Sequence, residues 1–197
     1  MKVFIILGSL ILIGFVAVQV FALKSQKGIE TYPYVVIQKY EQFEIRNYEA
    51  SLFTSVQLAN QGYKDTSGKG FSILASYIFG GNERNEKIAM TSPVTMSLED
   101  TMTVMFMVPR AKSKEMLPKP KQPQIAFKEE PAKTVAAIRF DGWANDKKIE
   151  KYKKKLKTAL DQEGITYTNR FQFFGYNAPY EVFNRRNEVI VELESIP

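Results

Sequence analysis

The clearest pattern of hydrophobic and polar positions lies in residues 87–96, which read KIAMTSPVTM. Larger apolar side chains fall on alternate positions, with smaller or polar ones between them. The first set is Ile88, Met90, Val94 and Met96, and the second is Ala89, Thr91, Pro93 and Thr95. This period of two predicts a half-buried strand with the first set inward and the second outward. Because Pro93 cannot donate to a strand ladder, we expect an edge or a bulge there.

A second strand is predicted for residues 101–108, after a turn around residues 98–100. We expect it to fold back antiparallel on the first strand. Five of the seven methionines lie in this hairpin, and flexible, polarizable thioethers suit either an irregular core or a flat apolar ligand. Met105 and Met107 have the opposite parity to Val104 and Phe106, so we expect them to form an exposed apolar surface.

The residues before the hairpin predict strands within 34–58, a loop over 62–70 and a helix over 71–79. The loop offers helix N-cap residues in Asp65, Thr66 and Ser67. The helix has apolar residues at helical spacing and is predicted to end at Gly80 and Gly81. Residues 110–123 contain three prolines and no apolar period, which is typical of a connecting loop.

The second half of the chain repeats this pattern. Strands are predicted for residues 124–127, 134–140, 171–176 and 188–193, and the TSP of residues 91–93 corresponds to the NAP of residues 177–179. Asn145 or Asp146 caps a helix whose apolar stripe precedes Gly164, and that stripe is Ile149, Tyr152, Leu156 and Leu160. The sequence therefore predicts an α+β fold in which two similar halves, residues 34–109 and 124–193, share one pseudo-symmetric antiparallel sheet or open barrel.

The first residues have a different character, since residues 3–23 contain no charged residue. At ~1.5 Å per residue this run is about long enough to cross a ~30 Å hydrocarbon core. We expect a retained single-pass anchor in residues 1–23, a linker in residues 24–33, and residues 34–197 on the outer, extracytoplasmic face. The alternative is a secreted or periplasmic protein released by cleavage, because VFA at residues 20–22 resembles a signal-peptidase site.

Two amino acids are missing from the whole chain. The absence of cysteine excludes disulfides and thiolate metal sites, and the absence of histidine removes the commonest general base, transition-metal ligand and proximal haem ligand. The carboxylates are scattered and no glycine-rich phosphate loop follows a strand, so we expect no enzyme activity. A net charge of +6 without a recognition motif predicts no nucleic-acid binding.

Three motifs carry a family resemblance. FEIRNY at residues 43–48 resembles an entry strand of the form Y-E-x-R-x-Y, KIAMTSPV at residues 87–94 is similar to K-I-x-M-T-x-P-V, and RRNEV at residues 185–189 matches a closing R-R-N-E-V. By these motifs the chain is identified as a member of the SOUL haem-binding family, as a bacterial and membrane-anchored one. The resemblance implies a distorted antiparallel β-barrel of two β-α-β-β repeats with two flanking helices. It also implies non-catalytic tetrapyrrole binding in a shallow apolar cleft beside the first helix.

The ligand site that we expect from this resemblance has eight candidate residues. They are Phe71, Leu74, Tyr77, Ile78, Met90, Met96, Arg185 and Arg186. The apolar candidates have an alternative place in the core, and the arginines an alternative place in a solvated turn. Because the chain has no histidine, a bound haem would depart from the ligation proposed for some animal members, and Tyr77 or Met90 is the candidate axial ligand.

The resulting functional hypothesis is a membrane-tethered carrier or buffer of haem or another planar apolar ligand. The alternative is a membrane-anchored sensing or protein-interaction domain that has lost haem binding. Seven lysines between residues 147 and 157 form either a solvated helix face or a surface for anionic headgroups.

Overall fold

The computed structural model describes residues 28–59, 61–99, 101–178 and 180–194, together with residues 7, 12–14, 16, 18 and 19. The predicted anchor in residues 3–23 lies for the most part outside the described residues and stays a prediction. Within the described part of the chain, no helix has both the length and the apolar character that a membrane crossing requires.

The described residues of 28–194 form a curled antiparallel sheet with two α-helices packed on it. The strands are β1 (Glu30–Thr31), β2 (Tyr34–Lys39), β3 (Glu44–Tyr48), β4 (Ser51–Ala59), β5 (Thr91–Ser92), β6 (Val94–Ser97), β7 (Thr101–Met107), β8 (Ala126–Glu130), β9 (Lys133–Asp141), β10 (Tyr167–Gly175) and β11 (Arg186–Leu193). The helices are α1 (Tyr63–Ile78) and α2 (Asp146–Gln162), with a short 3-10 helix at Lys114–Met116. The predicted α+β class and antiparallel half-barrel are confirmed.

The nine-stranded sheet has the order β2-β3-β9-β11-β10-β6-β7-β4-β8, and β1 pairs separately with β5 in parallel. Each pairing described in the large sheet is antiparallel, including the predicted hairpin of β6 and β7. From the β10–β6 pair outward, the order is the same on both sides, with β11, β9 and β3 matched by β7, β4 and β8. Superposition of residues 34–109 on residues 124–193 stays a prediction.

Helix α1 begins at Tyr63, well before the predicted start near residue 71. The predicted caps Asp65, Thr66 and Ser67 therefore lie inside the helix, which is a correction. The first turn is held from outside, because the Asp146 carboxylate accepts a hydrogen bond from the Tyr63 backbone N–H at 2.7 Å. At Gly70 the helix lies so close to β7 that an added Cβ would meet Val104 Cγ2 at 2.5 Å. Tertiary packing thus favours helix where the glycines disfavour it.

Helix α2 follows its prediction closely. The Asn145 side chain accepts a hydrogen bond from the Lys148 N–H at 2.9 Å and caps the first turn. Ile149, Leu156 and Leu160 are buried against the sheet. The helix is followed by Gly164 with a φ of 66°, a backbone conformation that favours glycine.

Both faces of the central strands are buried. The face toward the helices forms the main core, and the opposite face forms a second core that consists of Tyr32, Tyr48, Phe53, Met105, Met107, Val135, Ala137, Phe174 and Ile190. The prediction that Met105 and Met107 form an exposed surface is therefore wrong. The Tyr32 ring, whose centroid lies 4.5 Å from that of Tyr48, belongs to the segment that covers this face.

The same burial changes the pattern predicted for β6. Pro93 and Thr95 were predicted outward and are buried, because the strand lies in the middle of the sheet with a core on each side. Pro93 belongs to neither strand and separates β5 from β6, so the edge or bulge predicted there is a break between two short strands.

Candidate functional site

A cleft of about 350 Å³ lies between α1, the β5–β6 region and the segment that follows β10. It is lined by Phe71 of α1, by Met90 and Val94 from the region of β5 and β6, and by Tyr176 and Tyr180 after β10. The Phe71 ring is held against Phe106 of β7 at a centroid distance of 5.3 Å. The cleft thus presents aromatic and thioether groups on a surface supported by the main core.

The two proline-containing segments that correspond in sequence meet in this cleft. Thr91 and Ser92 line it from one half of the chain, and Asn177 and Ala178 line it from the other. The Thr91 hydroxyl donates to the Met107 carbonyl at 2.6 Å, and the Ser92 hydroxyl donates to the Tyr176 carbonyl at 3.3 Å. These hydroxyls are therefore occupied by backbone, which favours an apolar ligand over a polar one.

The wall at residues 177–181 is braced by hydrogen bonds. The buried Glu181 carboxylate accepts from the Asn177 side-chain amide at 2.6 Å and from the Ala178 N–H at 3.1 Å. Arg185 Nη1 donates to the carbonyls of Ala178 at 3.0 Å and Glu181 at 2.5 Å. Arg185 therefore holds the wall in place through the wall's backbone carbonyls. Its guanidinium also lies 4.0 Å from the centre of the Trp143 ring.

Four of the predicted site residues lie in the main core instead of lining the cleft. They are Leu74, Tyr77, Ile78 and Met96. The Tyr77 hydroxyl donates to the Pro118 carbonyl at 2.9 Å, and burial raises the pKa of Tyr77 to about 12. Of the eight predicted residues, the cleft brings together Phe71 and Met90.

Arg186 does not line the cleft and belongs to a polar cluster behind Tyr176, one of the cleft residues. Its guanidinium donates to the Glu188 carboxylate, with Nη2 at 2.7 Å from Oε1, and to the Tyr34 hydroxyl at 3.1 Å. It also lies 4.0 Å from the centre of the Tyr176 ring. Of the two cavities that Arg186 lines, the one of about 340 Å³ shares no lining residue with the cleft beside Phe71, whereas the one of about 280 Å³ adjoins the cleft and shares Ser92, Tyr176 and Asn177 with it.

The centre of this cluster is an ion pair between Arg46 of β3 and Glu188 of β11. Arg46 Nη1 and Nη2 donate to the two oxygens of Glu188 at 2.8 and 3.1 Å. Burial by itself raises the pKa of Glu188, but the hydrogen bonds and charges of Arg46 and Arg186 outweigh it, so this pKa lies below its ordinary value. The pair joins the first of the three sequence motifs to the last, which gives both motifs a structural role.

Sequence reasoning missed the cleft wall at residues 177–181 and the ion pair between Glu188 and Arg46. The signal that could have revealed this ion pair is a charged residue within an apolar strand, at Arg46 and at Glu188, since buried charges require partners. Among the described residues, no group of three or more acidic side chains is placed to hold a metal ion.

The comparison with known families identifies the family of this chain. A family model described as SOUL heme-binding protein matches residues 29–192. The chain belongs to the SOUL heme-binding protein family. The SOUL match includes all three motifs and every described element from β2 through α2 to β10.

Curated relatives of this SOUL chain cover most of its length. Heme-binding protein 2 of Homo sapiens is 29% identical over 156 residues, which are 75% of this chain and 76% of that protein. Heme-binding protein 1 of Sus scrofa is 26% identical over 176 residues, which are 82% of this chain and 92% of that protein.

Solved structures share the fold at low sequence identity. The C-terminal domain of EcmrR has a TM-score of 0.63 at 12% identity and covers 79% of this chain and 98% of its own. A hydrolase from Listeria innocua has a TM-score of 0.58 at 8% identity and covers 80% of this chain and 94% of its own. At this identity the likeness concerns the fold alone.

Proposed function

We propose that this SOUL-family chain binds haem or another tetrapyrrole, without catalysis, in the cleft between Phe71, Met90 and Tyr180, and acts as a carrier or buffer. The observation that carries the proposal is the match over residues 29–192, whose relatives are named heme-binding proteins. That range contains nearly all of the cleft lining.

The dimensions and chemistry of the cleft support a planar apolar ligand. Ligand pockets span roughly 300–1,000 Å³, so a cleft of about 350 Å³ is at the small end. It suits contact with one face and an edge of a macrocycle rather than full enclosure. Phe71 and Tyr180 contribute aromatic rings to the lining, and Met90 contributes a polarizable thioether.

Affinity in this proposal comes from contact with the macrocycle more than from iron. The chain has no histidine, and the hydroxyl of Tyr77 already donates inside the core, so this side chain is poorly placed as an axial ligand. The Met90 thioether is the better candidate, because it lines the cleft. Burial of apolar area contributes about 25 cal/mol per Å² before association costs. With partial enclosure we expect micromolar binding, roughly −8 kcal/mol.

Absorbance titration with haemin and with the metal-free porphyrin tests the proposal. We expect both rings to bind with similar affinity, Phe71→Ser to weaken both, and Met116→Ser to change neither. Met116 is a matched control, because it is exposed and lies next to Leu117 and Pro118, at the far end of α1. If neither ring binds, the proposal fails and the sensing or interaction alternative takes its place. Haemin binding a thousandfold tighter than the metal-free ring would mean that a protein group ligates iron.

We also propose that residues 3–23 keep the domain at a membrane with its bulk on the outer face. The support is their lack of any charged residue. N-terminal sequencing of the membrane fraction tests this, because a chain that begins near residue 23 would identify a cleaved signal peptide instead.

A further inference from the structure

Four large apolar side chains are exposed together beside the cleft wall, and we name Trp143, Tyr180, Val182 and Phe183 the aromatic rim. Their exposed fractions are 54%, 49%, 39% and 60%. Single exposed apolar residues are ordinary on a protein surface, whereas contiguous ones mark an interaction site.

Arg185 links Trp143 to the loop that carries the other three residues of the rim. Its guanidinium stacks on the Trp143 ring at 4.0 Å, and its Nη1 donates to the carbonyls of Ala178 and Glu181, which flank Tyr180. The ring of Trp143, from the segment before α2, and the loop at residues 180–183 are thus held by one side chain. The rim is a built surface rather than a chance exposure of separate residues.

The rim also lies where the uncharged N-terminal run meets the domain. The Gln19 side chain donates to the Tyr180 carbonyl at 3.2 Å and accepts from the Val182 N–H at 3.3 Å. Gln19 belongs to residues 3–23, which have no charged residue. A membrane that binds residues 3–23 would therefore lie next to the rim.

The residues of the rim have the chemistry of a membrane interface. Tryptophan and tyrosine combine an apolar ring with a polar group and are enriched at the headgroup layer. Cationic groups accompany them, namely Arg185 and Lys147, which is exposed in the first turn of α2. Of the carboxylates on the same two segments, Glu181 is buried and accepts from Asn177, and Asp146 accepts from the Tyr63 backbone N–H.

We infer that the aromatic rim contacts a phospholipid surface and inserts its rings into the headgroup layer. A stable protein interface buries about 800 Å² on each partner, which is more than four side chains supply, whereas interfacial insertion requires only a few aromatic rings. Tyr180 also lines the cleft, whereas Trp143 does not, so a measurement on Trp143 tests the inference without a ligand in the cleft.

Trp143 is the only tryptophan in the chain, so its fluorescence reports on the rim directly. The experiment adds the full chain to phosphatidylcholine vesicles that contain lipids spin-labelled either close to the headgroup or near the bilayer centre. We expect Trp143 emission to shift to the blue, to become protected from acrylamide, and to be lost mainly to the label close to the headgroup.

The matched control moves the tryptophan to the other end of α1 by combining Trp143→Phe with Met116→Trp. Tyr63 at the start of α1 bonds to Asp146 near the rim, and Tyr77 at its end bonds to Pro118, about 20 Å away along the helix. The control tryptophan should keep its emission and its access to acrylamide. The inference is overturned if the full chain does not float with the vesicles, or if Trp143 in the bound protein is no more quenched by lipid labels than the control tryptophan. The second result would instead indicate a protein partner or free solvent at the rim.

Discussion

Replacing Glu188 by glutamine should destabilise the fold more than any surface change of the same kind. Glu188 is completely buried on β11, and its carboxylate accepts hydrogen bonds from Arg46, Arg186 and the Tyr176 hydroxyl. The five distances lie between 2.7 and 3.1 Å. An amide keeps the shape of the side chain, but it removes the charge and turns one acceptor oxygen into a donor that faces other donors.

The expected loss of stability follows from the positive charge that stays buried without its partner. Arg46 is 4% exposed and would keep its positive charge with only the partly exposed Glu44 near it, at 2.9 Å. Breaking a buried ion pair by removing one partner costs about 3–5 kcal/mol, because the remaining charge is uncompensated. We expect Glu188→Gln to lower the free energy of unfolding by this amount.

The matched control is Glu192→Gln, on the same strand. Glu192 pairs with the exposed Arg170 at 2.9 Å and is itself partly exposed, so the change should cost about 0–1 kcal/mol. Urea titrations followed by far-ultraviolet circular dichroism measure both values. Equal costs for the two variants would refute the reasoning, since the Arg46–Glu188 pair would then contribute no more than a surface pair. A double-mutant cycle with Arg46→Met isolates the coupling between the two partners.

Three further predictions use the same titration. Gly70→Ala should destabilise the fold by about 1–3 kcal/mol, because the added Cβ would meet Val104. Gly68→Ala has open space around it and should stabilise the fold by about 0.5–1 kcal/mol. Two effects of the same sign would contradict the packing of α1 against β7. Leu74→Ala should cost about 2–5 kcal/mol, and a cost near zero would mean that this side of α1 does not face the core. The pKa of Glu188 is lower in the folded protein than in the unfolded chain, so its contribution to stability should be complete above about pH 4.3 and lost as the pH falls through the folded pKa. The wild type should therefore lose more stability in acid than Glu188→Gln. Equal losses would contradict a stabilising Arg46–Glu188 ion pair.

The sequence predicted the elements whose signals are local. Helix α2 has its cap in Asn145, a regular apolar stripe and a terminal glycine, so all of its determinants lie within the helix and its ends. The first half of α1 was missed because Gly68 and Gly70 disfavour helix, and its stability comes from β7 and from Asp146. Burial of Met105 was missed for a related reason, since Tyr32, far away in sequence, covers it.

The site was predicted only where an apolar residue stands beside a recognisable motif or on the first helix. Met90 met the first condition, Phe71 was predicted from its place on the first helix, and both line the cleft. The wall around Tyr180 reads as a turn in the sequence, and its hydrogen bonds to Glu181 and Arg185 depend on how the chain returns into β11. Arg186 was assigned to the ligand because its partner network joins strands that are distant in sequence. Strands β3 and β11 both pair with β9, with Arg46 opposite Val135 and Glu188 opposite Arg139, and the two side chains meet diagonally across β9.

The most direct test of tetrapyrrole binding in this cleft is a methyl spectrum of the methionines. The chain has seven, of which Met90 lines the cleft, whereas Met105 and Met107 lie in the second core and Met116 is exposed at the far end of α1. Metal-free porphyrin, added to protein labelled with carbon-13 at the methionine methyl groups, should shift the Met90 signal by its ring current and leave those of Met105, Met107 and Met116 in place. A bound porphyrin that leaves Met90 unshifted, or that shifts Met116 instead, would contradict the assignment of the ligand to this cleft.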